Sequence, residues 1–501
     1  MNFDLNDDQR LLRDLIRDFA RSEIAPKISA YEDQRIFPRE IIQKLAELGV
    51  LGMTVPAGFG GAQTDYLSFI LALEELSRAS ASVCVIVAVH GALFAKPILD
   101  YGTARQKDKY LPRAARGEIL GGFSVTEPGS GSDAASLKTR AVRSGSEYIL
   151  NGTKAWVTSG GAADALLLVA QTDLPSGPPK PSAFIVEKGF PGFRVAKTED
   201  KMGLHASATA EIVLEDCRVP AENLLGEEGR GLSIALQSLE GSRIGIAAQS
   251  VGLSQTALEL AVRYARQREQ FGRPIADFQA VQFMIADMAV QLEAARLLTY
   301  RAADSYDRGR PYAKEAAMAK LYASEAASRI ASLGVQIHGA YGYSKEYTIE
   351  RLYREARVFS IYEGTSEIQA SFALKEMSKG AIFTALEEVG AELAAVDAAH
   401  PELVAPVRAG MEWIHTSLTA LMADPRYALL NAKRLCEMVI DVLVASELLQ
   451  QAVHSEEKLV LAATFIHRRM LAVEMNARRI GSGDASRLER YDRILGLSAE
   501  P

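Results

Sequence analysis

The chain has 501 residues, 48% of them apolar, and a formal net charge of -7. That length allows three or four domains and a core able to enclose a cofactor. The acidic balance leaves no broad positive field, so nucleic acid is a poor partner and any phosphate must be gripped locally. The cysteines Cys84, Cys217 and Cys436 are odd in number and far apart; they suggest neither a disulfide framework nor a metal site, and suit a reduced, cytoplasmic setting.

The first eight residues are acidic and lead into an amphipathic pattern, unlike a secretory or organelle-targeting segment. Over residues 1–120 the periodicity predicts an N-terminal helical domain: Leu11, Leu12, Leu15, Ile16 and Phe19 recur at helix spacing, as do Ile41, Ile42, Leu45 and Leu48 before Gly49. The apolar run 83–89, interrupted by His90 and Lys96, falls short of the roughly 20 residues that span a bilayer. A buried helix segment is expected there, and no integral membrane segment.

Residues 121–226 change character. Short β-branched runs at 148–150, 166–169, 183–186 and 210–214, separated by turn residues, predict a β-barrel-like middle domain with an exposed loop at 174–179. Helical periodicity returns over 227–378, where Gly241, Gly245, Ala248 and Gly252 form a small-residue face that lets helices approach closely, as in a four-helix bundle. Residues 379–501 predict an appended helical domain with a break near His400-Pro401 and an apolar face of Met438, Val439, Val442, Leu443 and Leu448. The expected fold is therefore mainly α with a central β domain and a helical extension.

Four stretches could carry chemistry. Phe123-Ser124-Val125-Thr126-Glu127-Pro128-Gly129-Ser130-Gly131-Ser132 offers hydroxyls, amides and close backbone approach, suited to a polar ligand, yet it equally describes a surface turn. Trp156 beside Thr158 could be a platform for a flat ring or a core residue. Around Arg268 and Phe271 a guanidinium and a ring could grip a diphosphate and a base, although Arg-rich helix ends are commonly solvated. In Tyr362-Glu363-Gly364-Thr365-Ser366-Glu367, Gly364 marks a break that sets Glu363 at a helix end, with Thr365 or Ser366 as the next cap. Most carboxylates so placed are caps or surface charges, so this stretch alone assigns no base.

Taken together and in order, the segments 124–133, 154–160, 202–205, 241–247, 268–278, 336–343 and 361–369 resemble the acyl-CoA dehydrogenase family across about residues 1–378. The stretches 241–247 and 314–321 are most similar to short-chain, butyryl-type members. The resemblance implies FAD, held at its ring by Phe123, Val125, Thr126, Trp156 and Thr158. Its adenine dinucleotide portion would be held by Arg268, Phe271 and Gln279 of one subunit, with Gln336, Gly339, Thr365 and Glu367, across a dimer interface. It further implies that Ser132, Arg243 and Tyr362 serve the acyl-CoA substrate, that Val85, Ile86 and Val89 face an apolar acyl pocket, and that Glu363 removes the α-proton. A hydride from Cβ then passes to the flavin, leaving a trans-2-enoyl-CoA and reduced FAD, whose electrons go to electron-transfer flavoprotein.

Departures from the family pattern also carry expectations. Ser242 stands where some relatives carry the base, which favours Glu363, and Glu240 lies nearby as a rival. Ala340 replaces a common Gly, and His338 reads as a hydrogen-bonding residue. The extension resembles a replacement for the second dimer of a tetramer, so a homodimer is favoured over a tetramer. The rivals are an acyl-CoA oxidase, an enoyl-CoA reductase of the same fold, and a catalytically silent, DNA-associated flavin scaffold.

Overall fold

The computed structural model describes residues 4–422, 424–453 and 455–496; Met1, Asn2 and Phe3 of the acidic start lie outside them. The first helix, Asp7–Phe19, opens on a capping box between Asn6 and Gln9. Its pattern is helical as expected, but the stripe is narrower: Ile16 is buried and Leu12 and Phe19 pack on the core, whereas Leu11 is 72% and Leu15 48% exposed. A helix turns about 100° per residue, so 11 and 15 sit beside the 12–16–19 row, outside the buried face.

The apolar run corrects a second expectation. His90 and Lys96 do not interrupt it: Ala81–Tyr101 is one helix of 21 residues, long and apolar enough to cross a membrane by length and composition, with 89% of its apolar window buried in the protein. Val89–Ala95 forms wide turns within it. His90 is accommodated because both ring nitrogens are satisfied: Nε2 meets Ala114 O at 3.1 Å and Nδ1 accepts from the Gly121 N–H at 3.0 Å. Burial lowers its pKa to about 4, so the ring is neutral. That second bond ties the helix to the start of the sheet.

The middle sheet has eight strands: β1 (Gly121–Ser124), β2 (Arg140–Ser144), β3 (Glu147–Val157), β4 (Ala165–Thr172), β5 (Lys180–Glu187), β6 (Phe193–Thr198), β7 (Ala210–Pro220) and β8 (Leu224–Leu225). The order is β6-β7-β3-β2-β4-β5-β8, with β1 paired in parallel to β4. The four apolar runs seen in the sequence fall in β3, β4, β5 and β7. A second core forms where β1, β4 and β5 pack on Phe94, Ile98 and Tyr110.

The bundle consists of a first helix Gly231–Gln267, a second Gln279–Asp307, a third Ala313–His338 and a fourth Ser366–Glu376, the last preceded by the short helix Thr348–Ala356. The extension adds Ile382–Val396, Pro401–Leu421, Ala432–Ala452 and Glu456–Gly481. One buried cluster runs without a gap from Ile16 through the bundle to Ile480, so the extension is seated on the bundle's own core. Arg301 of the second bundle helix bonds Glu447 and Glu388 of the extension, each at 2.8 Å.

The small-residue face works unevenly. A Cβ at Gly252 would stand 2.1 Å from Glu74 O, whereas one at Gly245 would meet Leu73 Cδ1 at 3.1 Å and one at Gly241 only ordinary contacts. Helix propensity favours Ala over Gly by about 1 kcal/mol, but the backbone contact at Gly252 outweighs it. Gly252→Ala is therefore expected to lower stability by about 2 kcal/mol in urea unfolding, with Gly241→Ala close to neutral in the same assay.

Candidate active site

A bend at 361–365 lies between the short helix Thr348–Ala356 and the fourth bundle helix. Glu363 has φ 53 and Gly364 φ 94, so two successive residues are left-handed. A left-handed non-glycine residue costs about 1–3 kcal/mol and persists only where its surroundings hold it. Here they do. Gln369 Nε2 donates to Glu363 O at 2.9 Å and to Gly364 O at 3.2 Å, and Lys320 Nζ donates to Gly364 O at 2.6 Å. At φ 94 a side chain at Gly364 would be strained, and its Cβ would press on Gln369 Nε2 at 2.6 Å. Thr365 then caps the fourth helix through Ile368 N–H, as expected.

The bend turns the Glu363 carboxylate inward. The residue as a whole is half-buried, but its Oε2 is enclosed and has no hydrogen-bond partner among the described residues. Ser242 Oγ donates to Oε1 at 2.9 Å. Burial raises the pKa to about 7, against lowering by the Ser242 bond and by the charges of Lys320 and Arg243. Arg243 is itself buried, with its Cζ 4.8 Å from the Phe372 ring centroid and its Nε and Nη1 unpartnered among the described residues. Glu240, the rival, is half-buried with a raised pKa, chiefly from burial, and interacts with Arg243, Glu376 and Lys379 rather than with Ser242.

An apolar cluster adjoins the bend. Val85, Val89 and Leu93 form a buried cluster against which Phe123, Leu239 and Tyr362 pack. Ile86 does not belong to it: one residue on from Val85, it turns into the main core and is fully buried there. At the Ala81 side, Gln249 Nε2 donates to Ala81 O at 2.7 Å and the Tyr362 hydroxyl donates to Gln249 Oε1.

The sheet supplies a flat platform. The register between β3 and β7 slips between Lys154 and Val157, and this bulge leaves Trp156 at φ 59 and 60% exposed. Ala155 N–H donates to Thr126 O at 2.9 Å, fixing the indole beside the loop that follows β1. Beneath that loop Lys154 Nζ donates to Glu127 Oε1 at 2.8 Å and to Val125 O at 3.0 Å, while Glu127 also accepts from Lys138 and Thr139 N–H. Burial lowers the Lys154 pKa to about 8; it also opposes ionisation of Glu127, but the hydrogen bonds outweigh it and hold that carboxylate below its usual range. Thr158 is half-buried next to the enclosed Ser159 Oγ, which has no partner among the described residues, and Gly129, Gly131 and Ser132 face open space or solvent. The arrangement fits a flat ring with polar edges.

The residues expected to hold a dinucleotide are not gathered in one chain. Arg268, Phe271 and Gln279 lie with Gln336 and Gly339 at one end of the bundle, where Arg268 Cζ stands 5.8 Å from the Tyr341 ring and Phe271 is 95% exposed. His338 there accepts its structural role: Nδ1 meets Gly334 O at 2.7 Å and the ring stacks on Tyr264. Thr365 and Glu367 stand instead beside Lys320, sixteen residues earlier on the third helix than Gln336 and thus about 24 Å away. A cavity of about 460 Å³ lies elsewhere, in the seam between bundle and extension. Its Lys433 and Arg469 are engaged by Glu325 and Asp441, which marks it as a seam between docked helices.

Sequence reasoning missed Lys154, Gln249, Lys320 and Gln369. The only signal was a lysine inside an apolar stretch, as in Ala316-Ala317-Met318-Ala319-Lys320-Leu321. Breaking the Lys154–Glu127 pair leaves a buried carboxylate uncompensated, so Lys154→Met is expected to lower stability by about 3–5 kcal/mol and to speed hydrogen exchange at the Ala155 amide. Unchanged exchange would show that the pair does not hold the loop.

Comparison with known proteins accords with this geometry. The acyl-CoA dehydrogenase N-terminal, middle and C-terminal domain models match residues 6–118, 122–217 and 229–378. An acyl-CoA dehydrogenase of Bacillus subtilis is 50% identical over 373 residues, covering 74% of this chain and 98% of that protein. Butyryl-CoA dehydrogenase from Megasphaera elsdenii superimposes with a TM-score of 0.73 at 43% identity, over 75% of this chain and all of the other (100%). An acyl-CoA dehydrogenase complexed with FAD from Bacillus anthracis reaches a TM-score of 0.88 at 29% identity over 99% of this chain and 92% of that one, so it extends over the C-terminal helices as well. With the residues, the fold and these likenesses agreeing, the chain belongs to the acyl-CoA dehydrogenase family of FAD-dependent oxidoreductases, which act on the CH–CH group of acyl-CoA thioesters.

Proposed function

We propose that this protein dehydrogenates a short-chain acyl-CoA to its trans-2-enoyl-CoA, with Glu363 as the base and electron-transfer flavoprotein as the final acceptor. The observation that carries the reading is a carboxylate, its pKa raised to about 7, with one enclosed oxygen that has no partner among the described residues, beside an apolar cluster. A thioester α-proton is weakly acidic, so the base must be poorly solvated and its target firmly placed. Ser242 occupies Oε1 and leaves Oε2 to take the proton. Arg243 keeps two buried donors available near the substrate, and Val85, Val89, Leu93 and Tyr362 exclude water from the acyl chain.

FAD supplies the acceptor for the Cβ hydride when bound. The Trp156 platform, the Val125–Thr126 backbone and Thr158 suit its ring, while Phe123 links ring site and apolar cluster. Ser132 lies on the exposed loop where the thioester would pass. Because the Arg268 end and the Thr365 end of one chain stand so far apart, the adenine portion needs Arg268, Phe271, Gln279, Gln336 and Gly339 from a second copy, which supports a homodimer.

The short-chain reading rests on Gln249. Its amide bridges Ala81 and Tyr362, one helical turn before Val85, where it would close the acyl site to all but a few carbons. Butyryl-CoA is therefore expected to bleach the flavin faster than octanoyl-CoA, and Gln249→Ala to narrow or reverse that difference; equal rates in the parent protein would refute the closed site. Reduction of electron-transfer flavoprotein is expected without peroxide, and peroxide in its place would identify an oxidase.

Glu363→Gln should retain FAD and lose roughly 10²–10⁴-fold in turnover. The sign of the pH dependence follows from the working form, which is the carboxylate. Its pKa is raised to about 7, so turnover falls as pH drops through that value. A limb placed near the ordinary glutamate value would contradict the assignment.

A further inference from the structure

We infer that Lys320 and Gln369 are positioning residues that hold the base in its working direction, an inference resting on the reading of Glu363 as that base. Between them they engage both carbonyls of the left-handed pair: Gln369 Nε2 takes Glu363 O and shares Gly364 O with Lys320 Nζ. A peptide at Glu363 relaxing to right-handed φ would rotate its side chain away from Ser242, so the carbonyls and the carboxylate are coupled through one short stretch of backbone.

Burial shows that this is more than a turn cap. Lys320 and Gln369 are each 0% exposed, and Gly364 O already accepts from the neutral amide of Gln369. An ammonium fully enclosed in the protein is costly unless a negative charge faces it. Glu363 is that charge; Arg243 opposes it, and Glu325 and Glu367 add weaker support. From the other side, Glu363 is faced by Ser242 and Arg243 of the first bundle helix, by Lys320 of the third, and by the buried hydroxyls of Tyr66 and Tyr362. Burial lowers Lys320 to about 7 and raises Glu363 to about 7, each favouring the charged form of the other. Lys320 therefore acts twice, by hydrogen bond on the backbone and by charge on the carboxylate, while Gln369 acts on the backbone alone.

The two substitutions separate these actions. In the FAD-loaded enzyme, Lys320→Met and Gln369→Leu are compared with the parent for flavin absorbance, KM for butyryl-CoA, the rate of flavin bleaching and its α-deuterium isotope effect. Both should bleach roughly tenfold or more slowly, with a larger isotope effect and unchanged KM and flavin content. In Lys320→Met the acid limb should move upward by about one pH unit, because a compensating positive charge is gone. In Gln369→Leu, which keeps that charge, the limb should stay in place. Parental bleaching and isotope effects in both variants, or a loss confined to KM and flavin content, would overturn the inference. Should Lys320→Met fail to fold, Gln369→Leu decides by the same bleaching and isotope measurements. Glu363→Gln runs alongside: parental turnover there would refute the base itself, whereas an inactive Glu363→Gln with unaffected positioning variants would refute only the role given to Lys320 and Gln369.

Discussion

A carboxylate taken out of water is the constraint from which the rest of this structure follows. An ordinary surface glutamate is too well solvated to attack a weak carbon acid, and a fully buried, unpaired one would simply keep its proton. Glu363 sits between those limits. The two left-handed residues turn it inward, Ser242 and two buried cations keep its charged form accessible, and burial raises its pKa to about 7.

The domains converge to maintain that environment. The apolar cluster beside Glu363 draws on the helix Ala81–Tyr101, on Phe123 of the sheet and on Tyr362 at the bend. Each is pinned by a polar group that is itself buried and satisfied: His90 joins the helix to β1, Lys154 joins Glu127 to the loop after β1, and Gln249 joins Tyr362 to Ala81. Buried polar pairs of this kind contribute little net stability, but they make alternative packings costly. The extension plays a different part. It shares the bundle's core and is tied to the second bundle helix by Arg301 at one point and by Lys458 at another, while Phe271 stays exposed.

The helical, sheet and bundle regions were legible because their periodicities are strong, and the bend that carries Glu363 was legible through Gly364 and the Thr365 cap. What escaped did so for identifiable reasons. Leu11 and Leu15 satisfied helix spacing yet lie outside the buried stripe, since apolar content alone does not say which neighbouring row faces the core. β2 is largely polar and exposed, with no alternation to betray it, and β6 offers only the short Phe193-Arg194-Val195 alternation. Ile86 was grouped with Val85, although adjacent residues on a helix diverge by about 100°. Lys154, Lys320 and Gln369 take their meaning from partners on other segments, and Lys320 in isolation looks like any solvated lysine.

The most direct measurement is an infrared difference titration, parent minus Glu363→Gln, following the carbonyl band of the protonated carboxylic acid. A band belonging to Glu363 that disappears with a midpoint near 7 is predicted. A midpoint near 4.5, the ordinary value for glutamate, would mean that the carboxylate is bathed in water, and the account built on it would fail.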